Sequence, residues 1–241
     1  MTKRYWFVIL TYILIAQLAA IPIAEFLLLL GLEKGQVDGL AHIISFSLGL
    51  IIILLLLRPD MKNRHSTPGR STRWQAVGWS LLGILMAYGG QILANIVEQM
   101  VLGIEPGSEN TAEIIAMIET FPLMILIVSI IGPILEEIIF RMIIFGALYK
   151  RFNFPIAAVL SSIIFAAVHF DFSHLLIYTA MGFVFAYLYV KTKRILVPII
   201  AHIAINTIAV ILNLLLGDFI NELLEQQESL NQAALFIGGL L

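Results

Sequence analysis

Long apolar runs broken by short polar segments set the pattern of the chain. Seven stretches, about 5–31, 40–57, 75–102, 122–149, 155–170, 174–190 and 195–216, are apolar enough to read as membrane helices. Two connections are longer than the rest, 58–74 and 103–121. Stretches five and six form a hairpin, and at 1.5 Å per residue a 16-residue arm reaches about 24 Å, short of a hydrocarbon core of about 30 Å. The tip between them, His169 to His174, is therefore expected inside the bilayer as the wall of a wet crevice. Residues 111–120 (TAEIIAMIET) predict a short amphipathic helix at the interface. The tail 218–241 starts acidic and ends in seven apolar residues, too few to span, and predicts a second interfacial helix. The fold class is an all-α, polytopic helical bundle of about seven transmembrane helices plus interfacial helices, read as one membrane domain over 1–241.

Composition agrees. Of 241 residues, 60% are apolar and 12% charged, about half the charged fraction of a soluble domain. With no cysteine, disulfides, thiolate ligands and a cysteine nucleophile are excluded. The net charge of −2 is segregated rather than patched, which gives no reason to expect nucleic acid. Thr2-Lys3-Arg4 before an apolar run imitates a signal peptide, but the run continues to Leu30 and reads as a retained span. Twelve of the 14 Lys and Arg fall in the N-terminus, 58–74, Lys150-Arg151 and 191–194. By the positive-inside rule this predicts a cytoplasmic N-terminus and an external C-terminus in a cell membrane.

Three groups of polar residues interrupt the apolar runs: Glu136-Glu137…Arg141, Phe165…His169 and His202…Asn206. Each charge at the centre of a membrane helix costs about 2.5–3.5 kcal/mol on the gentlest scale, so such residues mark candidate functional sites. Glu137 and Arg141, four apart, share a helix face and predict a pair. Glu136 lies about 100° away and has no partner on its own helix. A carboxylate held out of water becomes a better base, so Glu136 is the candidate to activate a water, with His169 sharing that water. The imidazole of His202 and the amide of Asn206 lie on one face and suit an oxyanion hole. Pro133 and Pro198, just ahead of two of these groups, predict kinks. Peptide-bond hydrolysis by an activated water is the reaction such a set supports.

Other polar residues read more simply. Glu25 reaches an interface, His42 and His65 are solvated, Gln91 and Asn95 bond between helices, and Asp171 and His174 cap the hairpin. Segment 58–74 reads as a flexible linker.

The order EExxxR, FxxxH, HxxxN on successive apolar helices resembles the CPBP family of intramembrane proteases, also called the Abi family, which includes the CAAX proteases and the type II CAAX prenyl endopeptidases. The resemblance covers about 122–210 and rests on Glu136, Glu137, Arg141, Phe165, His169, His202 and Asn206. It implies a glutamate-dependent intramembrane endopeptidase acting on membrane-associated proteins or (lipo)peptides. In it the first Glu and first His activate water, while the second His and the Asn hold the oxyanion. Met142 stands where many members have Gly, and Asn206 is one of the variants seen at its position. The whole chain is similar to membrane peptidases of Bacillus-type bacteria, which implies the plasma membrane of a Gram-positive cell.

No cofactor is expected. An alternative uses Glu136, His169 and His202 as a zinc site with an open position, although no HExxH pair is present. A proton relay or transporter would use similar residues, but no repeated half supports alternating access. A non-catalytic immunity or partner protein is the remaining alternative, since some members of the family are not regarded as proteases.

Overall fold

A computed structural model describes residues 1–63, 67–105 and 107–238. The described residues form helices and no strand. We number the helices α1 (Lys3–Leu29), α2 (Lys34–Leu56), α3 (Arg58–Asn63), α4 (Arg73–Met100), α5 (Glu109–Thr120), α6 (124–148), α7 (Phe154–Ala167), α8 (Leu175–Thr192) and α9 (Leu196–Gly238). Five, α1, α2, α4, α8 and the 196–217 part of α9, are long and apolar enough to cross a membrane. The two other apolar helices are the interrupted α6 and the 14-residue α7, which is only about 21 Å long. The chain is a multi-pass membrane protein.

Large apolar side chains face outward along these helices, among them Trp6, Phe7, Leu85 and Leu93. Such a belt fits lipid, since soluble monomers rarely expose large contiguous apolar patches. Inside, small residues let helices approach closely. The hairpin α7–α8 buries Ala158 and Ser162 against Gly182 and Ala186. A Cβ at Gly182 would lie 2.8 Å from the Ser162 Cβ, so only glycine fits. At Gly83 of α4, a Cβ would meet Leu188 of α8 at 2.5 Å and Ala201 of α9 at 3.3 Å.

Helix α6 is not regular. Residues Ile127–Ile131 and Glu137–Phe145 are wound as π-helix around the short α-turn Gly132–Glu136. Gly132 donates its N–H five residues back, to Ile127. The same π register would pair the Val128 carbonyl with the N–H of residue 133, which is proline and has none. Pro133 thus acts through a change of helix register. Pro198, by contrast, lies in the first turn of α9, where a missing N–H leaves no bond unmade, so no kink is required there.

Several expectations need correction. Helix α2 starts at Lys34, six residues earlier than its apolar pattern. The interfacial helix at 111–120 is present as Glu109–Thr120, but the tail does not start a new element at Asp218: α9 runs on without interruption to Gly238. Met1–Thr207 forms one compact unit and Ile208–Leu241 a second. The described parts of segment 58–74 form no free linker. Asp60 in α3 accepts from Tyr5 at 2.9 Å and pairs with Arg4 at 2.6 Å. Further on, Lys193 donates to the Pro68 carbonyl and Arg194 to that of Ser71. His65 lies outside the described residues. Asn95 accepts from Gln99 in its own helix rather than bridging helices, and Gln91 Oε1 has no hydrogen-bond partner among the described residues.

The Gly182 contact yields a stability prediction. Gly182→Val should lower the detergent melting temperature through overpacking of about 1–3 kcal/mol. Gly90→Ala should be tolerated, because its Cβ would meet Val184 and Ala180 at ordinary distances of 3.7 and 3.8 Å.

Candidate active site

The second π segment of α6 begins at Glu137 and carries Arg141. Both side chains are fully buried, with Arg141 Nε 3.2 Å from Glu137 Oε2. The guanidinium lies against the faces of two rings, its Cζ 4.3 Å from the Phe165 centroid and 5.4 Å from that of Phe185. Its terminal nitrogens have no hydrogen-bond acceptor among the described residues. One carboxylate and two aromatic faces therefore take the place of water around this cation, and a desolvated cation–π contact is worth about 2 kcal/mol.

Helix α9 brings His202 to the same carboxylate. Its Nδ1 lies 2.9 Å from Glu137 Oε1, and its ring stacks on Phe185 at 4.8 Å. Since a carboxylate accepts, Nδ1 is the donor, and Nε2 turns toward Glu136 Oε2 at 3.7 Å, beyond hydrogen-bond length. The two glutamates thus differ sharply in environment. The Glu137 side chain is 0% exposed and that of Glu136 20% exposed. One turn further along α9, Asn206 Nδ2 donates to the Val128 carbonyl at 3.1 Å. This is the acceptor that Pro133 leaves without its π-register partner. One amide hydrogen of Asn206 is used in this bond, and the other has no hydrogen-bond acceptor among the described residues.

The third group comes from α7. His169 donates through Nδ1 to the Phe165 carbonyl at 2.8 Å, because a carbonyl can only accept, and its Nε2 stays available. The chain then turns at once: Phe170 has φ 55°, a left-handed conformation that bulky residues seldom adopt. Phe165 separates the two imidazoles, with ring centroids 4.6 Å from His169 and 5.9 Å from His202. The imidazole centroids can be no farther apart than the sum of these distances. Six of the seven residues singled out in the sequence therefore meet in one place, and Asn206 lies one turn along α9 from His202. Glu137, Arg141, Phe165 and His202 are sealed inside it, while Glu136, His169 and Asn206 are only half-buried.

Among the described residues no three His, Asp or Glu side chains are placed to share a metal ion. His169 gives its Nδ1 to a backbone carbonyl and His202 gives its Nδ1 to Glu137, so neither bond uses the Nε2 atoms.

Comparison with known proteins assigns a family to the chain. Residues 118–208, which hold the whole cluster, match the model of the family described as "Type II CAAX prenyl endopeptidase Rce1-like". The chain is 46% identical to the "Putative membrane peptidase YdiL" of Bacillus subtilis over 100% of its length and 99% of that protein. The chain belongs to the Rce1-like CAAX protease family. It is also 32% identical to the "Membrane-embedded CAAX protease MroQ" of Staphylococcus aureus, over 92% of this chain and 95% of that one. A Lactococcus lactis protein, "UPF0177 protein YxdF", is 36% identical over 33% of the chain and 44% of its own length. No solved structure matches. The protein is a membrane-embedded endopeptidase of this family.

Two residues around this cluster escaped sequence reasoning. Tyr178 of α8 stacks on the His169 ring at 4.3 Å and 26°, and its hydroxyl accepts from Asn110 at 3.1 Å. Glu98 of α4 is 1% exposed. It accepts from the N–H groups of Leu176 and Ile177 at 3.0 and 3.2 Å and pairs with His174 Nδ1 at 2.9 Å. His174 also reaches the Gly107 carbonyl, and Asp171 accepts from Ser108 at 2.6 Å. His174 and Asp171 are thus not the expected caps of the hairpin. The cap of α8 comes from another helix, through Glu98, and the two tip residues tie the hairpin to 107–108. An acid within the last turn of an apolar helix was the available signal, but its partners lie 76 to 79 residues away. Glu98→Ala should destabilise the protein by about 1–3 kcal/mol, as it leaves two helix N–H groups and an imidazole without an acceptor. Thermal unfolding in detergent measures this, and Asn95→Ala on the same helix should change little.

Proposed function

We propose that the chain is a glutamate-dependent, metal-independent intramembrane endopeptidase in which Glu136 activates the hydrolytic water. One observation carries this reading: of the two adjacent carboxylates, only Glu136 has exposed surface, and it faces an imidazole. Glu136 and His169 Nε2 hold the water. As its oxygen bonds to the substrate carbonyl carbon, Glu136 takes its proton. His202, carrying a proton on Nε2 as well as the one that Nδ1 gives to Glu137, and the second amide hydrogen of Asn206 stabilise the oxyanion. The tetrahedral intermediate collapses with cleavage of the C–N bond, and the proton passes from Glu136 to the leaving amine. Glu137 and Arg141 hold His202 and α6 in place and take no part in proton transfer. The printed names of the relatives, a membrane peptidase and a membrane-embedded CAAX protease, support a membrane-associated protein or (lipo)peptide as substrate. The Lys and Arg distribution supports a cytoplasmic N-terminus and an external C-terminus.

In a reconstituted cleavage assay, Glu136→Gln should lower turnover by about 10²–10⁴-fold while the melting temperature is kept. Survival of cleavage in that variant would refute the assignment, and survival of a cellular effect would favour a non-catalytic partner role. Glu137→Gln should instead lose both activity and stability, because it disrupts a buried charge pair whose loss costs about 3–5 kcal/mol. Strong chelation should leave the cleavage rate unchanged; loss of activity restored by zinc would contradict the metal-free reading.

A further inference from the structure

At the basic end of the bundle a second cleft opens, away from the glutamate cluster. Its volume is about 380 Å³, within the range of small-molecule sites. Arg70, Arg73 and Arg194 line its rim, and no acid is among the described residues that line it. Below them the walls are apolar: Ala76, Val77 and Leu81 of α4 face Leu196, Val197 and Ile200 of α9. These walls open sideways, since Val77, Leu81, Leu196 and Ile200 are all about half exposed.

The rim is built rather than loose. Arg194 donates through Nε to the Ser71 carbonyl at 2.7 Å, Ser71 donates its N–H to the Thr192 carbonyl at 3.0 Å, and Lys193 donates to the Pro68 carbonyl at 2.6 Å. Residues 68–71 are thereby stitched to 192–194. Both α4 and α9 begin at this rim, which adds the positive ends of two helix dipoles to three guanidinium groups. From Arg73 to Leu81 the apolar wall descends about 12 Å.

We infer that this cleft binds an anionic phospholipid, with its phosphate among Arg70, Arg73 and Arg194 and the start of an acyl chain between α4 and α9. A guanidinium cluster pairs with phosphate, which explains the rim. A free phosphate would leave the apolar walls without use. A zwitterionic lipid would bring an ammonium group toward three cations. Only an amphiphile with net negative charge matches both halves of the cleft.

Native mass spectrometry of the full-length protein, purified in detergent and supplied with equimolar phosphatidylglycerol and phosphatidylcholine, tests this directly. The wild type should retain phosphatidylglycerol in preference. Arg73→Gln should weaken that retention about fivefold, the effect of one arginine near a membrane surface. Val77→Trp, which fills the exposed wall without changing charge, should also weaken it. Arg58→Gln, outside the cleft, should leave it unchanged. Equal retention of the two lipids would overturn the inference, as would equal effects of Arg58→Gln and Arg73→Gln. Displacement of the bound lipid by inorganic phosphate as effectively as by phosphatidylglycerol would show a simple anion site and likewise refute it.

Discussion

The contact on which the rest depends is the buried ion pair between Glu137 and Arg141. Removing either partner of such a pair leaves an uncompensated charge in a low-dielectric interior, at about 3–5 kcal/mol. That penalty makes the surrounding arrangement hard to change. Arg141 needs ring faces in place of water, and α7 and α8 supply them as Phe165 and Phe185. Glu137 has a second oxygen to satisfy, and α9 supplies His202. Four helices are drawn to one charged centre, and Glu136, a single residue away in the chain, is left at its edge.

This arrangement accounts for how two adjacent glutamates come to differ. Successive residues on a helix point about 100° apart, so when Glu137 faces the sealed interior Glu136 must face another direction. The π-wound register of α6 is part of the same design. It opens the backbone at Val128, and Asn206 answers that opening with its amide, which fixes α9 against α6 two turns from the ion pair. Helix α7 ends at Ala167, and the turn that follows, with Phe170 left-handed, keeps the His169 imidazole at the rim instead of on a longer helix.

Much of this was legible in the sequence because hydrocarbon tolerates so few polar groups. Six polar residues stand out against apolar runs, and their spacing pairs Glu137 with Arg141. The link between His202 and Glu137 was not legible: helical spacing reports on one helix, and this contact joins residues 65 apart. The same limit hid Glu98, whose partners lie at and just before the start of α8. Pro133 was expected to kink its helix, and only the π register of the neighbouring turn shows why its effect appears as a carbonyl that takes its partner from α9. Pro198 misled because its meaning depends on where α9 starts. The tail misled because a change from apolar to acidic composition does not by itself end a helix.

The central claim is that Glu136 is the accessible carboxylate and Glu137 the sealed one. Labelling of the folded protein in membranes with a hydrophobic carbodiimide, followed by peptide mass spectrometry, measures this most directly. The account predicts an adduct on Glu136 that grows in step with loss of cleavage, with Glu137 unmodified until the protein is unfolded. Modification of Glu137 in the folded protein, or full cleavage activity with Glu136 labelled, would contradict it.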